Sequence, residues 1–189
     1  METDALIAEI KQRLTSAFTK LDEWFGTAEP LRAFRPANGG WTVNEILEHV
    51  ALINHYLLIL ISKGATKAAK NINNLNLATE LASYRCERAK LDEIGQHKLF
   101  EWTRPEHMEP KGAQTATEVS QTLRNQLWQC EEILQQLPNG EGVLYRTTMS
   151  VNALEKINVY KLVYFLAKHA GRHLTQLEQV AAEYHALKR

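Results

Sequence analysis

Apolar residues return at every third or fourth position in four separate runs of the chain. Each run reads as one helix with a single buried stripe. From Asp4 to Phe25 the stripe is Leu6, Ile7, Ile10, Leu14, Ala17, Phe18, Leu21 and Phe25. Gly26, Pro30, Pro36 and the pair Gly39-Gly40 then mark a connecting loop of roughly fifteen residues. The second run opens with "WTVNE". Here Thr42 can accept from the Glu45 amide while Glu45 reaches back, a reciprocal capping box that satisfies two helix-end donors. Its inner face is Val43, Ile46, Leu47, Val50, Ile53, Leu57 and Ile61, and Lys63-Gly64 is the predicted stop.

Residues 64 to 114 are only loosely periodic, at Leu77, Leu81, Tyr84, Leu91 and Ile94. They predict one or two short helices followed by the loop "TRPEHMEPKG", and their length suits a crossover between helices that are not hairpin neighbours. A second capping box, Thr115 with Glu118, starts the third long helix. It runs through Val119, Leu123, Leu127, Cys130, Ile133, Leu134 and Leu137 to Pro138-Asn139-Gly140. The fourth is predicted from the N-cap Asn158 to about Tyr184. No segment alternates at period two for long enough to require a sheet. The pattern predicts an all-α fold, a four-helix bundle with a long crossover between helices two and three, formed as one domain over residues 1–189.

Composition narrows the function. Apolar residues make up 44% of the chain, enough for a sizeable core, and 22 basic residues balance 22 acidic ones. With no global field, nucleic acid is not an expected partner. The opening "METDALIAEIKQRL" lacks the features of an export signal. The apolar cluster "ALINHYLLILI" is shorter than a membrane span and carries Asn54 and His55, so it reads as a core helix. A cytoplasmic protein with no membrane partner is expected, its two cysteines, Cys86 and Cys130, reduced. Cys130 falls on an apolar stripe, the place of a buried structural thiol.

The candidate chemistry lies in "LAKHAGRHLTQLEQV". Counting about 100° per residue from Val159, positions 159, 162, 163, 166, 170, 177 and 180 fall within roughly 50° of one direction. His173 lies inside that arc and His169 at its edge, so both face the core. A buried imidazole without a partner costs about 1–3 kcal/mol. Either each ring finds a carbonyl or carboxylate, or a divalent metal takes a nitrogen from both. His49 lies on the second helix in line with Ile46, Ile53 and Tyr56, and can point into the same interior. Three histidines from two helices are the ligand count of a metal site with an open position. His55 points to the far side of its helix, and His97, His107 and His185 lie in the crossover or the tail.

The pair of motifs "GGWTVNEILEHVALINHY" and "INVYKLVYFLAKHAGRHLTQLEQV", in that order and separation, resembles the DinB/YfiT-like superfamily of four-helix-bundle metal proteins. The resemblance implies His49, His169 and His173 as metal ligands. It also places Gln176 as the glutamine that follows the pair, able to orient a ligand ring. Imidazole donors suit several divalent metals, with zinc or nickel expected here. Some members of such a family are thiol-dependent S-transferases or isomerases. The implied function is a transferase whose small-molecule partners are a bacillithiol-like thiol and an electrophile. Two other readings stand beside it: a metal-dependent hydrolase, and a non-catalytic protein of the stress response that binds metal or a small ligand. The hydrolase would need a base, for which Glu45 is occupied in the cap and Glu48 points away from the core direction. A homodimer is also implied, with Trp24, Trp102 and Trp128 as surface aromatics, whereas Trp41 is expected to pack at the start of helix two.

Overall fold

The computed structural model describes residues 2–85, 88–96, 106–149, 151 and 154–188. Four long helices, α1 (Glu2–Phe25), α3 (Val43–Asn71), α6 (Ala116–Gln136) and α7 (Val159–Ala186), carry most of the core. Helices α1 and α3 each pack against both α6 and α7. The all-α class holds, with every apolar position singled out on the last stripe buried, Val159 through Val180. Both capping boxes are formed, Thr42 with Glu45 and Thr115 with Glu118, and Asn158 Oδ1 caps α7 by accepting from the Lys161 amide at 2.9 Å.

The N-terminal ends of α3 and α6 line one cavity, and further along Gln126 Nε2 donates to the Ala51 carbonyl at 2.8 Å. The two helices therefore run in the same direction, which a tight hairpin cannot achieve and a long crossover can. Between them lie short helices α4 (Leu77–Ser83) and α5 (Ala89–Ile94), with a 3-10 turn at Glu106–Met108. Helix α5 lays Leu91 and Ile94 into the core against α7.

Three expectations need correction. The predicted loop before α3 contains one helical turn, α2 (Glu29–Arg32), whose Pro30 sits in the first positions, where no amide is needed. Lys63-Gly64 does not stop α3. The buried stripe continues through Ala65 and Ala68, and a Cβ on Gly64 would lie 3.2 Å from both the Tyr145 ring and Val159 Cγ2. That glycine serves close packing, not a helix end. Finally, a small hairpin precedes α7: β1 (Arg146–Met149) pairs antiparallel with β2 (Glu155–Asn158), Arg146 opposite Asn158 and Met149 opposite Glu155. Four residues per strand are too few to show a period-two pattern.

Among the described helices, α3 alone is long and apolar enough to cross a membrane by length and composition, and 56% of its most apolar window is buried inside the bundle. That is the signature of a core helix.

Candidate metal centre

Two helix starts set the register of the site. The Thr42 capping box fixes the first turn of α3 and with it the direction of His49, while the Asn158 cap fixes α7 and turns His169 and His173 to one face. The three rings are 3%, 2% and 6% exposed, respectively. Ring centroids lie 5.6 Å apart for His49 and His169, 5.0 Å for His49 and His173, and 4.5 Å for His169 and His173. One nitrogen from each ring falls within 4.8 Å of the others.

The partners of the outer nitrogens determine what the inner ones present. His49 Nδ1–H donates to the Met108 carbonyl at 2.8 Å, and His173 Nδ1–H donates to Gln176 Oε1 at 3.0 Å. A neutral imidazole that donates through Nδ1 has its lone pair at Nε2. On the inner side, His173 Nε2 faces His169 Nε2 at 3.1 Å. Burial, then the neighbouring His173 and His49 and the charge of Arg172, holds His169 well below the ordinary imidazole value, which favours its neutral form. Trp41 covers His49 at a centroid distance of 4.6 Å, and Phe165 lies parallel to His169 at 6.5 Å.

With the His173 proton on Nδ1, His169 Nε2–H donates to the His173 Nε2 lone pair, and a bound cation would take the place of that proton between the rings. Two nitrogens on one tetrahedral zinc stand about 3.3 Å apart, given metal–nitrogen distances near 2.0–2.1 Å. The 3.1 Å separation across His169 and His173 fits that spacing. These residues can hold a divalent metal, and a backbone carbonyl and Gln176 orient two of the three donors in the way such sites are commonly tuned.

A family model for the DinB superfamily matches residues 6–177. The chain belongs to the DinB superfamily. That span takes in all three histidines and Gln176. No curated protein and no solved structure matches the chain.

Two details of this DinB-superfamily site escape the sequence pattern. Glu48 does not face solvent. It is 5% exposed, because the end of the crossover passes over it: Glu48 Oε1 accepts from the Lys111 amide at 3.2 Å and Oε2 from the Gly112 amide at 2.8 Å. Periodicity along α3 places Glu48 off the core direction and carries no information about a chain laid across that side. The Met108 carbonyl is a backbone atom and leaves no mark in side-chain chemistry. Glu45 is engaged as expected, in its cap and with Arg35 at 2.6 Å. His55 and His185 are exposed. Cys86, His97, Trp102 and the side chain of His107 lie outside the described residues.

Proposed function

We propose that this protein is a metal-dependent transferase in which His49, His169 and His173 hold zinc or nickel and a low-molecular-weight thiol of the bacillithiol type attacks an electrophile. The observation that carries the reading is the convergence of three buried imidazoles from α3 and α7, two of them oriented by a partner on the far nitrogen. A divalent cation with only neutral ligands is a strong Lewis acid, and the chemistry it supplies is the acidification of a thiol to a nucleophile near neutral pH. The chain holds His169 below the ordinary imidazole range, directs the Nε2 atoms of His49 and His173 inward, and sets Trp41 against His49 and Phe165 beside His169, which limits competing water. The thiol and the electrophile are the proposed small-molecule partners, in a cytoplasmic setting. Homodimerisation is part of the same proposal, with Trp128, 58% exposed, as a contact residue.

The hydrolase reading is weaker, because both carboxylates nearest His49 in sequence are engaged: Glu48 by two backbone amides and Glu45 by its cap and Arg35. The test is turnover of a chlorinated aromatic by the metal-loaded protein with several thiols, in which a carbon–sulfur bond forms and chloride leaves. Turnover that disappears in His49→Ala supports the transferase. Turnover no greater than that of His49→Ala rejects it, and metal binding with no turnover at all leaves a non-catalytic metal protein.

A further inference from the structure

Glu48 and His49 are consecutive on α3, and both are tied to one five-residue piece of the crossover. His49 donates to the Met108 carbonyl, and the two oxygens of Glu48 each take one amide, from Lys111 and from Gly112. Between these anchors Pro110 fixes its own backbone angle, and Gly112 turns the chain with φ +63°, a conformation that favours glycine. The segment therefore lies across α3 as a strap held at both ends. A carboxylate only 5% exposed is costly to bury unless its oxygens are bonded, and bonds from amides to an ionised acceptor are among the stronger hydrogen bonds. Glu48 anchors the strap. Met108 is the point at which the strap acts on the site.

We propose that Glu48 is a positioning residue for the three-histidine centre: by clamping the Lys111 and Gly112 amides it holds the Met108 carbonyl where it fixes the tautomer and ring orientation of His49. The consequence for metal affinity rests on the metal reading above, whereas the consequence for the His49 tautomer does not. With the clamp in place, Nδ1 of His49 carries the proton and Nε2 is committed to the interior. Without it, the carbonyl moves away, the two tautomers exchange, and the ring must be reordered before it can serve as a ligand. Loss of such an orienting partner typically weakens metal binding by about 10–100-fold.

The test uses the full chain with Glu48→Ala, and Glu48→Gln as a variant that keeps one acceptor oxygen and so survives if the alanine change fails to fold. Glu183→Ala is the control, because it also removes a carboxylate that holds a loop amide, that of Ala37 at 2.7 Å, on another loop. Two readouts are needed. In metal-free protein at about pH 8, nitrogen-15 spectra of labelled histidine report which ring nitrogen of His49 is protonated. Competition of Zn²⁺ against a chromophoric chelator reports affinity. Expected are a single Nδ1–H form in the wild type and in Glu183→Ala, mixed tautomers in Glu48→Ala with Zn²⁺ affinity lower by about 10–100-fold, and an intermediate loss in Glu48→Gln. An unchanged His49 signature with wild-type Zn²⁺ affinity in both Glu48 variants overturns the proposal, as does an equal loss in Glu183→Ala. If the wild type itself takes up no Zn²⁺, the metal reading fails, and the tautomer comparison alone decides the role of Glu48.

Discussion

Replacing Asn54 by leucine should stabilise the protein. Asn54 is fully buried on α3, and neither its amide oxygen nor its amide nitrogen has a hydrogen-bond partner among the described residues. Gln126 reaches the same part of α3 from α6, donating to the Ala51 carbonyl one turn before Asn54, and its own Oε1 is likewise without a partner among the described residues. The seam between α3 and α6 therefore holds more polar atoms than it satisfies. Burying an amide without partners costs about 1–3 kcal/mol, and a buried leucine contributes about 1.5–3 kcal/mol from its apolar surface. Leucine is slightly larger than asparagine, so misfit takes back about 1–3 kcal/mol. Taken at their midpoints these terms leave a gain of about 2 kcal/mol, which raises Tm by roughly 4–8 °C for a chain of this size. Paired thermal and urea melts of wild type and Asn54→Leu measure it, with an unchanged urea slope as the sign that two-state unfolding still applies. A midpoint that stays level or falls would refute the reasoning, because it would mean that the amide is already satisfied in the folded protein.

Three further outcomes follow from other parts of the fold. Gly142→Ala should cost about 1–3 kcal/mol, measured by thermal melt, because the new Cβ would stand 2.7 Å from the Tyr160 ring. That ring is held by its hydroxyl, which donates to the Leu137 carbonyl at 2.5 Å and accepts from the Gly142 amide at 3.2 Å; an unchanged Tm would mean that the ring can yield. Burial pushes the Glu9 carboxyl up, but Arg13 and Arg88 more than reverse this, and at Asp92 Lys168 and Tyr164 outweigh burial in the same way, so both acids titrate below their ordinary values. A depressed folded-state pKa gives stability that is present above the unfolded value and is lost as pH falls through the folded one. Tm should therefore drop below about pH 4.5, and Asp92→Asn should show a shallower drop over that interval, with equal slopes counting against the network. Burial, with a smaller effect from Glu131, pushes the Cys130 thiol up to about 12. In a Cys86→Ser background a disulfide reagent at about pH 8 should label Cys130 only after denaturation, and fast labelling of native protein would contradict its burial.

The features legible in the sequence are those that depend on neighbours three or four residues away. Both capping boxes, the four apolar stripes and the inward direction of His49, His169 and His173 repeat along single helices, so counting positions finds them. Gln176 comes from the family resemblance, and it lies three residues past His173, within reach of that ring's Nδ1. What the pattern could not show depends on contacts distant along the chain. Gly64 carries the local mark of a helix stop, and only Tyr145 and Val159 packed against it reveal why the helix continues. Glu48 lies off the core direction, and its burial comes from Lys111 and Gly112, more than sixty residues later. The hairpin before α7 is held by pairing and by a buried Ile157, and four residues per strand give too little sequence to announce it.

Elemental analysis of protein purified without added metal, run beside the His169→Ala, His173→Ala double variant, tests the three-histidine centre most directly. Close to one zinc or nickel ion per chain is expected in the wild type, and only background metal in the folded variant. Equal metal in the two proteins would contradict the centre.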